Sequence, residues 1–285
     1  MNNATKNRFK DKLLKYFGIL CTVAGLIILI FFLVDIFMDG VQRIDWKFIT
    51  SLPSRFPEKA GILTALMGTI WVFVLTSLIA IPIGVGAGIY LEEYRKKGIL
   101  SNLLEINIAN LAGVPSIIYG LLGLEVFVRI LNFGGSLLAG SFTLALLILP
   151  IIIVATREAI RAVPKTIKEA SFALGATQWQ TISRQVLPAS ASSIITGIIL
   201  ALSRAVGETA PLIVIGALAY VPFVPKTPMD EFTVLPMQIF NWVSRPQHGF
   251  IINAAAAIVI LLLLVFFMNG IAVYLRNKAQ KKIEW

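Results

Sequence analysis

The stretch Phe250–Leu275, FIINAAAAIVILLLLVFFMNGIAVYL, contains 26 residues and no charged side chain. About 20 predominantly apolar residues are enough for an α-helix to cross the hydrocarbon core of a bilayer. A membrane β-strand would instead alternate apolar and polar side chains over about 10 residues, and this stretch does not alternate. It therefore predicts a membrane-spanning α-helix.

Five further apolar stretches precede this one. The whole chain is 57% hydrophobic and 14% charged, whereas a soluble domain is about 45–50% apolar and about 25% charged. Too few polar residues remain to cover a soluble globule, so we predict an all-α integral membrane protein with about six transmembrane helices. The other five spans are expected at Phe17–Met38, Gly61–Leu91, Ile106–Leu131, Leu137–Thr156 and Ala189–Tyr220.

The positions of Lys and Arg predict the orientation of these spans. Of the 25 basic residues, 17 lie in the two terminal tails and the loops after the second and fourth spans. Because cytoplasmic loops carry the excess of basic residues, both termini are expected in the cytoplasm. The predicted organisation is a cytoplasmic tail (1–16), a first transmembrane helix (17–38), an outer loop (39–60) and a core domain (61–285), which contains a cytoplasmic loop (157–188), an outer loop (221–249) and a cytoplasmic tail (276–285).

The net charge of +10 follows mainly from this asymmetry. No basic stripe lies on a soluble segment, so membrane lipid is expected as a partner and nucleic acid is not. The first apolar run is too long for a signal-peptide core and lacks a small-residue cleavage site, which predicts a retained helix. Cys21 is the single cysteine, so neither a disulfide framework nor a metal site is expected.

The fifth apolar stretch is longer than a membrane requires. Its 32 residues would extend about 48 Å as one helix, against a hydrocarbon core of about 30 Å. The helix must tilt, kink or end early, and Gly207 and Pro211 mark the expected break.

The loop at 157–188 contains two amphipathic patterns separated by Gly175. Pro164 can start a helix in its first turn, and glycine favours a helix end or turn. Two short helices are therefore expected, which either lie on the lipid headgroups or insert into a groove of a cytoplasmic partner. The apolar positions are Ile167, Ala170 and Leu174 before the glycine and Trp179, Ile182 and Val186 after it.

The same loop carries a spaced motif. Its residues are Glu169, Ala170, Ser171, Gly175, Leu187 and Pro188. The spacing resembles that of the EAA loop of ABC importer permeases, with Ser171 in place of the second alanine and Gln185 where an apolar residue is usual. The resemblance implies a MetI-like ABC importer permease fold, with 61–285 as the permease core and these six residues coupling the chain to an ATPase subunit.

Two charged residues, Arg204 and Glu208, lie at the expected break in the fifth span. A charge at the centre of a membrane helix costs about 2.5–3.5 kcal/mol on insertion scales and usually faces a bundle interior or a pathway. The i,i+4 spacing allows the two to pair, either as a self-neutralised structural pair or with the guanidinium also available to an anion. The similar pair Glu125 and Arg129, late in the third span, is expected to be structural.

The segment Ser203–Leu212, SRAVGETAPL, extends the resemblance. It is similar to the Arg-Ala-Ile-Gly-Glu-Thr-Ala-Pro stretch of phosphate ABC importer permeases, with Val206 in place of isoleucine. Gly113–Leu121 and Gly88–Tyr94 also resemble that family, and the likeness extends from about residue 60 to the carboxy terminus. It implies that Arg204 and Glu208 belong to a substrate pathway for phosphate.

The chain has no Gly-x-x-x-x-Gly-Lys-Ser/Thr phosphate loop, so the energy for transport must come from a partner or an ion gradient. The resemblance implies a non-catalytic permease subunit in a bacterial or archaeal inner membrane that binds no cofactor itself. Its implied partners are a homologous permease subunit, two ATPase subunits that bind ATP and Mg²⁺, and an outer phosphate-binding protein.

Two other transport functions stay open at this point. One is an ABC permease for another oxyanion, such as sulfate or molybdate. The other is a secondary transporter driven by protons or sodium, although such folds show internal repeats with matching broken helices, and the two halves of this chain show no convincing repeat. An enzyme is disfavoured because no nucleophile–base pair or metal-ligand spacing is found.

Overall fold

The computed structural model describes residues 3–95, 98–217 and 220–280. The regular secondary structure of these residues is helical, which confirms the predicted all-α class. The helices are α1 (Asn3–Val41), α2 (Trp46–Thr50), α3 (Leu63–Ile89), α4 (Ile99–Leu111), α5 (Ser116–Gly123), α6 (Leu137–Arg161), α7 (Lys165–Ala173), α8 (Gln178–Thr181), α9 (Leu187–Gly207), α10 (Ala210–Val214), α11 (Leu235–Val243) and α12 (His248–Gln280).

The number of spans agrees with the prediction of about six. Among the described residues, five helical segments are long and apolar enough to cross a membrane, and a bent pair of helices provides a sixth if it counts as one span. The five are Lys10–Val41, Leu63–Tyr94, Leu137–Arg161, Gln178–Gly207 and His248–Lys278, and the bent pair is Leu103–Leu111 with Ser116–Ile130.

The third predicted span, Ile106–Leu131, is not one straight helix. The chain bends by 99° between α4 and α5. Proline has no N–H to continue a helix and disfavours the α conformation of the residue before it, so Pro115 separates the two helices. After α5 a π-helical segment, Leu124–Ile130, completes the apolar part.

The fifth span ends at Gly207, where the break was predicted. Glu208 is extended (φ −76°, ψ 128°), and α10 then places Pro211 in its first turn. The prediction of Ala189–Tyr220 was therefore too long at its carboxyl end.

The amino-terminal part of that span was also predicted incorrectly. The expected second short helix is instead the first part of a continuous helix, Gln178–Gly207. Pro188 would clash with the carbonyl four residues earlier in a regular α-helix. A π-helical segment, Ile182–Val186, lies directly before the proline and widens the turn there, so the helix passes through without ending.

Other predicted segments differ in their bounds. Much of the predicted tail 1–16 already belongs to α1, and the outer loop 221–249 contains α11 and the first residues of α12. The first helix extends beyond the predicted bounds 17–38, because the polar residues before Phe17 are compatible with a helix. Residues 1–2, 96–97 and 281–285 of the predicted tails and loops lie outside the described residues.

The helices α3 and α6 form the centre of the bundle. A Cβ added to Gly84 would lie 2.6 Å from the Ile152 side chain, and one added to Gly88 would lie 2.7 Å from Thr156. Small residues at such contacts allow helix backbones to approach closely in a membrane. The α9 helix also packs on α6, where Gly197 meets Ala155.

The loops define two ends of this bundle. We call residues 90–95 and 157–186 the hairpin end, and residues 43–62 and 220–250 the opposite end. At the opposite end, the Arg43 guanidinium donates to Ala60 O (3.2 Å) and to Asn253 Oδ1 (3.1 Å). In the same region the Thr227 hydroxyl and the N–H groups of Lys226 and Thr227 donate to the Asp230 carboxylate, which holds its pKa below its ordinary value.

Candidate coupling and substrate-pathway sites

The α7–α8 hairpin (residues 165–186) is specified by local sequence. Pro164, with φ −55°, directly precedes α7. Gly175 adopts φ +81°, which glycine reaches without steric cost, and it forms the predicted turn. Thr177 then caps α8 in a capping box with Gln180, which satisfies two N–H groups at the helix start.

The tip of this hairpin is apolar and exposed. Leu174 is 89% exposed, and Phe172 and Trp179 are also exposed. Beside the tip, the two arms enclose an open concavity of about 760 Å³ that includes Ala170 and Gln185. An exposed apolar projection of this kind marks an interaction surface, either with protein or with membrane.

The motif residues lie on the first arm of the hairpin, at its turn and directly after its second arm. Glu169 is exposed on α7, whereas Leu187 and Pro188 are half-buried in the first turn of α9. The Ser171 hydroxyl lies 2.9 Å from Thr181 Oγ1, so it joins α7 to α8. The serine that replaces the usual alanine thus makes a cross-hairpin hydrogen bond that alanine could not make.

A cluster of ion pairs lies at the hairpin end, and the sequence analysis did not identify it. It contains four acidic and four basic residues and is therefore formally neutral. Its members are Glu92, Glu93, Arg95, Glu105, Arg157, Glu158, Arg161 and Lys168.

Arg157, near the end of α6, is the buried centre of this cluster. Its side chain is only 4% exposed. Nη2 lies 2.9 Å from the Glu105 carboxylate, and Nε lies 3.6 Å from that of Glu92. A buried cation requires such partners, since its desolvation is otherwise uncompensated.

Replacing Arg157 with Ala should destabilise the protein, because Glu92 and Glu105 would lose their shared buried partner. Removing one member of a buried ion pair costs about 3 kcal/mol or more. Thermal unfolding of the purified protein in detergent measures the effect. The matched control is Arg161→Ala, whose side chain is 46% exposed; it should cost less than about 1 kcal/mol, and equal shifts for the two variants would contradict the buried role of Arg157.

The ion pair at the end of α9 forms as predicted. Arg204 Nε donates to Glu208 Oε1 at 3.1 Å, with the Arg204 side chain 42% exposed and that of Glu208 17% exposed. The pair forms although Glu208 lies just outside the helix. Neither Nη group of Arg204 donates to another residue in the part of the chain that the structure describes, so both are available to a further acceptor.

The pair predicted in the third span also forms. Arg129 Nη1 donates to Glu125 Oε2 at 3.0 Å, and both side chains are largely exposed. It has the same i,i+4 spacing as Arg204 and Glu208, but its side chains are more exposed, 65% and 58% against 42% and 17%, which makes it a matched control.

Comparison with known proteins places this chain among transport proteins. The model of the family described as binding-protein-dependent transport system inner membrane component matches residues 80–281. The probable ABC transporter permease protein YqgI of Bacillus subtilis (strain 168) is 34% identical over 235 residues, covering 82% of this chain and 79% of the relative. The phosphate transport system permease protein PstA 1 of Mycobacterium tuberculosis (strain CDC 1551 / Oshkosh) is 34% identical over 256 residues, covering 86% and 82% respectively.

A solved structure shows the same fold. The crystal structure of a bacterial ABC transporter involved in the import of the acidic polysaccharide alginate aligns with a TM-score of 0.70 at 16% identity, covering 97% of this chain and 99% of that chain. At this identity the likeness concerns the fold alone. Together with the family match, it confirms the predicted permease fold class.

Proposed function

The chain belongs to the family of binding-protein-dependent transport system inner membrane components, and on that premise we propose that it is a permease subunit of an ATP-driven phosphate importer. As a member of this family it is a non-catalytic, multi-pass membrane protein. In the proposed importer it forms half of the translocation pathway.

The observation that carries the phosphate proposal is the state of Arg204. Its guanidinium lies near the end of a membrane helix with both Nη groups available, while Glu208 holds Nε at 3.1 Å. A guanidinium in this state presents a fixed fork of donors that matches phosphate oxygens. The 34% identity to a phosphate transport permease over 86% of the chain supports the same substrate.

The proposed role of the pair is electrostatic. A phosphate anion that enters a low-dielectric pathway loses hydration, and a fixed positive charge offsets part of that cost. Glu208 orients the guanidinium and offsets part of its positive field, so that the anion is bound weakly enough to leave again.

The α7–α8 hairpin is the proposed attachment to the ATPase subunits. In this arrangement it docks into a cytoplasmic ATPase subunit through Glu169, Gly175 and the exposed tip. The complete assembly comprises a PstC-like permease subunit, two PstB-like ATPase subunits that bind ATP and Mg²⁺, and a PstS-like outer phosphate-binding protein. The chain binds no cofactor of its own in this proposal.

The location follows from the same assignment. The hairpin end faces the cytoplasm of a bacterial or archaeal cell, and the opposite end faces the outer phosphate-binding protein. Both termini are cytoplasmic, in agreement with the excess of basic residues in the tails.

The second candidate substrate is another oxyanion, such as sulfate or molybdate. A solved transporter with the same fold imports a polysaccharide, so the fold does not select the substrate. A guanidinium fork also binds sulfate, and the discrimination between the two anions then depends on the outer binding protein.

Vesicles that contain the reconstituted complex should take up radiolabelled phosphate only when ATP is supplied. An excess of unlabelled phosphate should suppress the signal, and an equal excess of sulfate should leave it unchanged. Equal competition by sulfate would contradict phosphate as the substrate. Uptake driven by a proton or sodium gradient without ATP would instead indicate a secondary transporter.

A further inference from the structure

Both arms of the α7–α8 hairpin are attached to a single residue, Glu93, in the segment that directly follows α3. Lys168 of α7 forms an ion pair with the Glu93 carboxylate. Gln178 of α8 donates through Nε2 to the main-chain carbonyl of Glu93 at 2.6 Å. The hairpin therefore cannot move as a body without displacing residue 93 or breaking both contacts.

The neighbouring residue, Glu92, attaches the same segment to α6. Its carboxylate accepts from Arg161 Nη2 at 3.1 Å and from Arg161 Nε at 3.3 Å. The segment Tyr90–Tyr94 that carries both glutamates is π-helical, a conformation that occurs frequently at functional sites. Two adjacent side chains thus join the hairpin to the centre of the bundle.

The α4 helix is held to this cluster mainly by charge. The Glu105 carboxylate lies 2.9 Å from Arg157 Nη2 and 3.6 Å from Arg95 Nη2. Apolar side chains of α4 such as Ile99, Leu103 and Ile106 are exposed. Among the α4 side chains that the structure describes, the ion pairs of Glu105 are therefore the main attachment to the bundle, and a change in these pairs can shift the helix.

A hydrogen bond also joins α4 to α5. The buried Tyr119 of α5 donates through its hydroxyl to Leu111 O, the last residue of α4, at 2.7 Å. This bond spans the bend at Pro115 and ties the two helices together. We call the two helices joined in this way the α4–α5 lever.

The other face of α5 contacts the segment after Arg204. A Cβ added to Gly120 would lie 2.7 Å from Pro211 Cα, so the backbones of α5 and α10 are in direct contact. Pro211 follows Glu208 by three residues, and Leu212 N–H donates to Thr209 O at 3.1 Å. A shift of α5 would therefore displace backbone that lies three residues from Glu208.

We propose that Glu92, Glu93 and Glu105 are positioning residues for transport, which link the hairpin through the α4–α5 lever to the Arg204–Glu208 pair. Buried Arg157 is the fixed pivot that Glu92 and Glu105 share, whereas the more exposed pairs break and re-form as the hairpin moves. This inference rests on the proposed function, because it requires an ATPase to move the hairpin.

Reversing the charge of Glu93 or Lys168 should uncouple phosphate import from ATP hydrolysis in the complex. In the reconstituted importer, Glu93→Lys and Lys168→Glu should each lower the phosphate imported per ATP hydrolysed by about tenfold. A factor of this size corresponds to the usual interaction energy between two residues in contact. Glu93→Lys combined with Lys168→Glu should restore the ratio to within about twofold, because the ion pair is re-formed with opposite sense. A merely structural role would change the yield of the complex rather than this ratio.

Glu105→Gln tests the second half of the relay with a milder change, since the amide keeps the size and part of the hydrogen bonding of the carboxylate. It should also lower import per ATP while the ATPase remains bound. The matched control is Glu158→Gln, because within the described residues Glu158 pairs only with Arg161 of its own helix, at 3.1 Å.

The outcomes separate the relay from the proposed function. If the wild-type complex imports phosphate and the Glu93 and Glu105 variants match Glu158→Gln, the relay is overturned. If the wild-type complex hydrolyses ATP without importing phosphate, the substrate assignment fails. The relay is then judged by stimulation of ATP hydrolysis by the outer binding protein, which Glu158→Gln should retain and Glu93→Lys and Glu105→Gln should lose; retention by all three overturns it.

Discussion

Replacing Arg204 with Gln should lower phosphate uptake by roughly 10- to 100-fold while the complex still assembles. Hydrogen bonds between charged groups are worth about 1.5–3 kcal/mol, and each 1.36 kcal/mol in a barrier is a factor of about ten in rate. The loss of charge also leaves Glu208 to repel the anion. Uptake into vesicles measures the effect, and copurification of the partner subunits measures assembly.

The matched control is Arg129→Gln, which removes an arginine from a pair with the same spacing and a similar N–O distance of 3.0 Å. That variant should transport normally, because both of its charged side chains are largely exposed. Arg204→Lys should fall between the two, since lysine keeps the charge but not the planar fork. Normal uptake by Arg204→Gln would remove this residue from the pathway.

Changes in the hairpin should separate this chain from its ATPase. We expect Gly175→Trp to abolish copurification of the ATPase subunits, because a non-glycine residue at φ +81° costs about 1–2 kcal/mol and the bulk would lie at the docking tip. Glu169→Lys should have a similar effect through reversal of an exposed charge. Copurification from detergent-solubilised membranes measures both variants.

Gly134→Trp is the control for the glycine variant. Gly134 also has a positive φ, +64°, and nothing lies within 4 Å of an added Cβ, but it is not part of the hairpin. The ATPase should remain bound to this variant. Retention of the ATPase by Gly175→Trp and Glu169→Lys would instead favour a hairpin that lies on the lipid headgroups.

The Arg204–Glu208 pair shows how far local reasoning reaches. The apolar stretch around the pair is too long for one span and contains Gly207, which was sufficient to predict where the helix ends and that both charges lie at this end. The i,i+4 spacing was sufficient to predict that they pair. The direction in which the remaining guanidinium donors point depends on helices distant in sequence. Its role as an anion contact is therefore a proposal that uptake must test.

The hairpin was also predicted only in part, because some of its features depend on local sequence and others on tertiary packing. Pro164 and Gly175 act on the residues beside them, so the start and turn of the hairpin follow from sequence alone. Whether the second arm ends at Pro188 or continues into α9 depends on a π-helical turn that periodicity does not reveal. The tertiary packing of Ile182 and Val186, both fully buried, favours the continuous helix.

Sequence by itself determined that this protein lies in a lipid bilayer, how many spans it has approximately, and several of the places where its helices start, bend or end. These properties depend on hydropathy and on backbone preferences that act over a few residues. Only the tertiary structure decided that Glu92, Glu105 and Arg157 meet at the hairpin end, and that α5 touches the segment beyond Arg204. Such contacts join residues far apart along the chain, and the same charges fit equally well with an ordinary solvated loop until packing brings them together.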